Sequence, residues 1–366
     1  MNVALFHSTL PAPGRKVGGV EVFVHRLACR LVERGHAVTM FTFGDMPPSA
    51  PYRIVRIGAR WLAARPPARL GLAPVILNRL SAAGCDVLHL HGDDWFFVKR
   101  GVPTVRTFYG SALFEARTAT SLRRSVVRRL VYPLEALASR LSTLSYDIGT
   151  PLPFGYKVDG SLTLAVDAAN MQHTESRSSH PTVLFVGAWH GRKRGEFLAE
   201  RFAREVRPRH PTAELLVVSD TCVEQPGVRW MSYPSDDELR ALYRRAWVLC
   251  SPSTYEGFGL PYLEAMQHGL PVVATPNPGA LHVLGPGTGR LATDAELGAA
   301  IADLLADDDE RARLASNGRR RAELFTWERV VGEHERAYEL AITKYRRRRA
   351  SGYGSLAGDP ATIAAD

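Results

Sequence analysis

Cysteine is scarce in this chain of 366 residues, which has only Cys29, Cys85, Cys222 and Cys250. They lack the close spacing that holds zinc or staples a small secreted fold. They read as free thiols in a reducing cytoplasm. Long hydrophobic runs are also missing. No stretch approaches the roughly 20 apolar residues that a membrane-crossing helix needs. The opening Met1-Asn-Val-Ala-Leu-Phe6 lacks a basic leader and a long apolar segment, which predicts a first strand rather than a secretion signal. Acidic residues fall short of basic ones, 37 against 46, for a net charge of +9. That balance favours anionic partners. Nucleic acid is not expected among them, because no nucleic-acid-binding motif appears and the aromatic residues are not interleaved with the basic ones.

What is present is an ordinary globular balance, 45% hydrophobic and 23% charged, in a chain long enough for two domains. Val3-Ala-Leu-Phe6 reads as a strand. A loop with Gly14, Gly18 and Gly19 follows, then a helical pattern from Glu21 to about Arg34 through Val24, Leu27, Ala28 and Leu31. Gly35 ends it, and Ala37-Val-Thr-Met-Phe41 is the next strand. Val87 to Leu90 and Thr104 to Phe108 continue the alternation. A second series runs through Thr182-Val-Leu-Phe-Val186, Glu214-Leu-Leu-Val-Val218, Trp247-Val-Leu-Cys250 and Pro271-Val-Val-Ala274. Alternating strands and helices imply an α/β fold of parallel sheets covered on both faces, here two Rossmann-like, doubly wound domains facing a central cleft. The expected boundaries are 1–170 for the first domain, 171–181 for a polar linker and 182–326 for the second domain. A final helix is expected over 327–350, and a flexible tail over 351–366.

The stretch Glu256-Gly-Phe-Gly-Leu-Pro-Tyr-Leu-Glu264 lies between two of these strands. Gly257 and Gly259 let the backbone approach a ligand closely, and Pro261 suits the first turn of a helix. A helix N-terminus with bare amides attracts anions. Glu256 stands at the mouth and Glu264 about one turn into the helix. Carboxylates for hydroxyls beside amides for an anion suit a phosphorylated sugar. A second cluster, Gly187-Ala-Trp-His-Gly-Arg-Lys-Arg-Gly195, sets three cations between two glycines just before a helix. Such cations can stabilise charge on a departing diphosphate without a metal; a solvated basic turn is the other reading.

The Glu256 to Glu264 stretch resembles the signature of the retaining group 1 (family 4-like) glycosyltransferases of GT-B fold. Companion stretches follow in family order over nearly the whole chain. They are Gly18-Gly19-Val20-Glu21, Asp86-Val-Leu-His-Leu-His91, Asp237-Glu-Leu-Arg-Ala-Leu-Tyr243 and Phe325-Thr-Trp-Glu328. The resemblance implies transfer of a sugar from a nucleoside-diphosphate sugar to an acceptor hydroxyl, with no cofactor and no metal. It assigns Glu256 the place beside the donor sugar and Glu264 the ribose hydroxyls. It assigns Gly19, Gly257, Phe258, Gly259 and Leu260 to the backbone around the donor, and it implies a final helix that crosses back onto the first domain. The family places an Arg shortly after the first glycine of the basic cluster and a Lys just before the second. Here those positions are Ala188 and Arg194, so Arg192 or Lys193 is expected to supply the missing cation, and all three are candidate donor contacts. The family's His-Gly after the fourth strand is Tyr109-Gly110 here. Tyr109 is the candidate sugar contact, and a phenol is no base at neutral pH. Two alternatives remain. A nucleotide-sugar 2-epimerase shares the architecture, although the signature argues against it. A catalytically silent binding or scaffold protein is kept open by Ala188 and Tyr109.

Two further clusters read more plainly. His89, His91, Asp93 and Asp94 are expected to be packed or cleft-lining residues rather than metal ligands, and Asp307-Asp-Asp309 a helix-start cluster. Residues 115–140 hold six Arg and two Glu, with Arg123, Arg124, Arg128 and Arg129 among Leu122, Val126, Val127, Leu130 and Val131. On a helix this places a basic face beside an apolar one. It suits peripheral contact with an anionic membrane at its inner face, and equally a core-facing helix with a solvated outer side.

Overall fold

The computed structural model describes residues 1–353 apart from 12–17, 46, 48, 60, 62–65, 81, 83, 96, 99–100, 120, 168–176 and 233. Gly14, most of the expected linker and the tail from 354 lie outside the described residues.

The first sheet is formed by β1 (Asn2–Phe6), β2 (Ala37–Thr42), β3 (Arg53–Arg56), β4 (Val87–Leu90), β5 (Thr104–Thr107), β6 (Leu144–Asp147) and β7 (Gly160–Ser161). Their spatial order is β3-β2-β1-β4-β5-β6-β7, with all neighbours parallel. The second contains β8 (Thr182–Val186), β9 (Glu214–Val218), β10 (Val228–Met231), β11 (Val248–Ser251), β12 (Val272–Ala274) and β13 (Arg290–Leu291). Its order is β10-β9-β8-β11-β12-β13, again parallel. Strands β4, β5 and β11 are buried along their whole length, as parallel strands covered on both faces must be. Strand order reverses between β1 and β4 and between β8 and β11. Ligands of such sheets gather outside the carboxyl ends at those reversals.

Helices α1 (Gly19–Glu33), α2 (Pro66–Arg79), α3 (Ala112–Arg117) and α4 (Leu122–Leu141) belong to the first half. Helix α1 buries Phe23, Val24, Leu27, Ala28 and Leu31, the stripe its periodicity predicts. The basic stretch over 115–140 is split between two helices. Ser121 starts α4 by accepting a hydrogen bond from the Arg124 amide at 3.3 Å. The second half adds α5 (Gly195–Arg201), α6 (Asp236–Arg245), α7 (Leu260–Gln267), α8 (Pro278–Leu284), α9 (Leu297–Ala306) and α10 (Asp308–Ala322). Asp307 caps α10 by accepting from the Glu310 amide at 2.8 Å, which makes that acidic run a helix start.

The last helix, α11 (Trp327–Tyr353), returns to α1, β4 and β5 of the first half. Trp327 stacks on Phe23 with ring centres 5.4 Å apart, and its indole donates to Asp167 at 2.9 Å. Glu335 pairs with Arg34 at 3.1 Å and lies 2.9 Å from His36. The expected end at 350 falls inside this helix, because no glycine or proline interrupts the chain between Gly332 and Gly352.

Within the expected linker, Arg177 is firmly held. Its guanidinium donates to the carbonyls of Tyr243, Arg244 and Ala246 at 3.1, 3.0 and 2.5 Å. It also donates to those of His268 and Gly269 at 3.4 and 2.5 Å. These carbonyls end α6 and α7, where the last turn lacks amide partners and a cation is favourable. Burial, helped by nearby Arg319 and Arg311, pulls the Arg177 pKa down to about 10, so it stays charged at neutral pH. Arg177→Met is expected to lower the unfolding free energy by about 3 kcal/mol, from several carbonyls left without a donor. Urea denaturation checks this, and a loss below about 1 kcal/mol would contradict it.

Candidate active site

The candidate residues meet where the carboxyl ends of the two sheets face each other. On the first side, Gly19 opens α1. A side chain there would come within 3.1 Å of the Leu260 Cδ1, so the glycine lets the second half close against this turn. Glu21 steadies the turn, accepting from the Thr9 hydroxyl at 2.6 Å and from the Gly18 amide at 3.4 Å.

Opposite lies Glu256, buried between two cations. Lys193 Nζ is 2.6 Å from Oε1, and Arg192 Nη1 is 2.9 Å from Oε2. Arg192 also donates to the Tyr255 carbonyl at 2.6 Å. Gly187 makes room for the Lys193 stem, which would lie 3.2 Å from a Cβ at that position. Burial pushes the Glu256 carboxyl up, but Lys193 and Arg192, with hydrogen bonds from Lys193 and Ser253, outweigh it and hold the pKa at about 2.

Arg194 does not join them. Its backbone is left-handed, with φ of 56°, and its guanidinium turns to Asp294 at 2.7 and 2.5 Å and to the Pro252 carbonyl at 2.7 Å. It also lies over the Phe197 ring, 4.4 Å from its centre. The run of three cations therefore divides into two that face Glu256 and one that anchors the turn.

The signature loop is shaped by close approach. A Cβ on Gly257 would stand 2.0 Å from the Tyr109 carbonyl oxygen, so a glycine is required where the halves touch. Gly259 has φ of 93° and lies under the Tyr262 ring. The Phe258 side chain packs inward against Phe325 and His282, with ring centres 5.7 and 5.6 Å away, and its carbonyl lies against Gly279. Glu264 accepts from the Tyr243 hydroxyl at 2.5 Å, and Tyr243 stacks on His268 at 5.4 Å. Burial pushes the Glu264 carboxyl up, while the Tyr243 hydrogen bond and the charge of Arg26 oppose it.

Tyr109 brings its carbonyl to the seam between the halves, while its phenol turns inward rather than towards a sugar. The hydroxyl is engaged with His91 Nδ1 at 2.7 Å, and burial pushes its pKa well above the usual range. His89 is a core residue, bonded to Tyr338 at 2.9 Å and to Thr107 at 2.8 Å. Among the described residues no group of three acidic, histidine or cysteine side chains is placed to hold a metal.

Three contacts around the candidate site are not legible in the sequence. Tyr243 lay inside a quoted stretch, but only the fold shows that it orients Glu264. Tyr255 reaches across the cleft, its hydroxyl accepting from the Ser111 amide at 3.1 Å. Asp294, far along the chain, removes Arg194 from the cleft. No local pattern marks any of these pairings.

Comparison with known proteins relates both halves of the chain to glycosyltransferases. Residues 180–307 match the family described as glycosyl transferases group 1, and residues 17–147 match glycosyltransferase family 4. The chain is 42% identical over 150 residues to an MMP alpha-(1->4)-mannosyltransferase of Mycolicibacterium hassiacum. That match spans 38% of this chain and only 35% of the relative's length. It is 27% identical over 366 residues to a phosphatidyl-myo-inositol mannosyltransferase of Mycobacterium leprae, covering 89% of this chain and 94% of the relative. In fold it is similar to a sucrose-phosphate synthase from Thermosynechococcus elongatus, with a TM-score of 0.73, 20% identity, and coverage of 93% and 99% of the two chains.

The depressed Glu256 pKa carries a stability consequence. Its folded value of about 2 lies below the ordinary 4.5, so its contribution is present above 4.5 and is lost as the pH falls towards 2. The stability gap between wild type and Glu256→Gln should therefore shrink by about 2 kcal/mol between pH 7 and pH 3, read by urea denaturation. A gap that does not change with pH would contradict the paired carboxylate.

Proposed function

We infer that the chain, a GT-B-fold protein related to the group 1 and family 4 glycosyltransferases, uses a nucleoside-diphosphate sugar. On that premise we propose that it transfers a sugar from a nucleoside-diphosphate sugar to an acceptor hydroxyl, with retention at the anomeric carbon and without a metal. The observation that carries this reading is the convergence of Lys193 and Arg192 on Glu256, at 2.6 and 2.9 Å, beside the signature loop.

Sugar transfer breaks the bond between the anomeric carbon and a phosphate oxygen, and negative charge grows on that oxygen. Lys193 and Arg192 are fixed cations in a partly dry site, where they stabilise such charge strongly. The acceptor oxygen forms the new bond to the anomeric carbon, and its proton passes to the departing phosphate oxygen. A double displacement would need a carboxylate attacking from beneath the ring. Glu256 is already neutralised by two cations and is a weak nucleophile, which supports attack from the same face as departure. In this reading Glu256 positions the two cations and lies beside the donor sugar. Glu264, held by Tyr243, accepts from the ribose hydroxyls, and the backbone of Gly257 to Leu260 receives phosphate and sugar oxygens. Polysaccharide, glycolipid and secondary-metabolite assembly all supply acceptors of the required kind. Two of the relatives are named as mannosyltransferases, so mannose is among the first sugars to try.

Calorimetry with UDP-, GDP-, ADP- and dTDP-sugars, without metal, tests the donor site. One donor should bind, and Glu264→Ala should weaken it about tenfold or more. Glu256→Gln should cut turnover by about a hundredfold or more. Absence of donor binding by the folded chain would favour a silent protein of the same fold.

The outer side of α4 supports a peripheral membrane role in the same reading. Leu122 is 82% exposed, and Leu130 and nearby Phe154 are 67% and 96% exposed, beside exposed Arg123 and Arg129. Replacing Arg123 and Arg129 together by Glu should abolish flotation with phosphatidylglycerol vesicles. Unchanged flotation, or none by the wild type, would remove the membrane role.

A further inference from the structure

Arg192 faces two ways. One nitrogen, Nη1, is committed to Glu256 and the Tyr255 carbonyl, yet the side chain remains 37% exposed. It lines a shallow recess open to solvent, with Gly191 beside it and Glu115, Thr118, Ala119 and Arg124 opposite. The recess therefore spans both halves of the chain and lies one guanidinium away from Glu256. Arg124 is 57% exposed and stands 3.8 Å from the Glu115 carboxylate, which Arg128 holds more closely at 3.0 Å. Arg124, Arg128 and Arg192 thus stand against two carboxylates, Glu115 and Glu256, and the balance is positive. The charge of Glu115 is also felt by Arg192. Gly191, with φ of 78°, leaves open space where a side chain would stand.

We propose that this recess holds a phosphate carried by the acceptor, so that the acceptor is a phosphorylated hydroxyl compound. The inference deepens the sugar-transfer reading and rests on it. Guanidinium forks match phosphate oxygens in geometry and charge. Arg124 from the first half and Arg192 from the second would grip the phosphate together. Glu115, loosely held by Arg124, is the group the phosphate displaces from that arginine. The same chemistry serves a free phosphorylated polyol and a lipid headgroup.

Calorimetric titration of the full chain with sn-glycerol 3-phosphate tests this, with UDP and GDP in excess so that a donor site is filled. Glycerol is the neutral control, and water-soluble dihexanoyl phosphatidic acid represents the lipid source. Glycerol 3-phosphate should bind saturably and glycerol should not. Arg124→Gln should weaken binding about tenfold, and Glu115→Gln should tighten it. Tighter binding of the short-chain lipid, with the same dependence on Arg124, assigns the phosphate to a lipid headgroup. Equal binding of the two assigns it to a free phosphate. No saturable binding of either compound, or binding indifferent to Arg124→Gln, overturns the recess. Titration of UDP, GDP, ADP and dTDP alone reads the donor site separately, so failure of all four sinks the sugar-transfer reading, while intact nucleotide binding with no phosphate effect sinks only the recess.

Discussion

A carboxylate buried between an ammonium and a guanidinium governs this structure. Glu256 could not remain ionised there alone, since removing a charge from water costs several kcal/mol. Lys193 and Arg192 compensate for it, and in doing so they are themselves fixed at the edge of the cleft. The pairing works in both directions. It keeps Glu256 deprotonated, and it holds two long, otherwise mobile cations where the proposed reaction puts a diphosphate. The surrounding sequence follows from this arrangement. Gly187 leaves space for the Lys193 stem, and the left-handed turn at Arg194 ends the basic run by directing the third cation to Asp294.

The two halves meet around that core through contacts that tolerate little change. Gly257 lies against the Tyr109 carbonyl, Gly19 against Leu260, and Tyr255 reaches the Ser111 amide at 3.1 Å. At the rim, Arg26 of α1 pairs with Asp236 at 3.0 Å and with Asp167 at 3.2 Å, and Trp327 joins Asp167 at 2.9 Å. These rim pairs are partly exposed and individually weak. The returning helix α11 adds a larger apolar anchor through Trp327 on Phe23. Small residues at the point of contact and a packed strap behind it allow close approach of the halves without filling the cleft with side chains.

Much of this was legible in the chain. Apolar runs alternating with helical patterns and glycines identify both parallel sheets, and Glu256 and Glu264 stand out because a glycine loop separates two carboxylates at a helix start. Three adjacent cations, by contrast, look alike until the backbone conformation at Arg194 turns one of them away. Tyr109 was found by position, but its bond to His91 is a contact between neighbouring strands that no local spacing encodes. Arg177 sat in a polar stretch without pattern, and only the packing of α6 and α7 gives it five carbonyls to hold. Periodicity reports which face of an element is buried. It is silent on which distant polar groups that burial brings together.

The central claim is that Lys193 and Arg192 are the cations that receive the departing diphosphate. A crystal structure of the chain with its bound nucleoside diphosphate tests it most directly. The account predicts phosphate oxygens about 3 Å from both side chains, with Glu256 still beside them. A diphosphate seated elsewhere, with both cations closed on Glu256 alone, would contradict it.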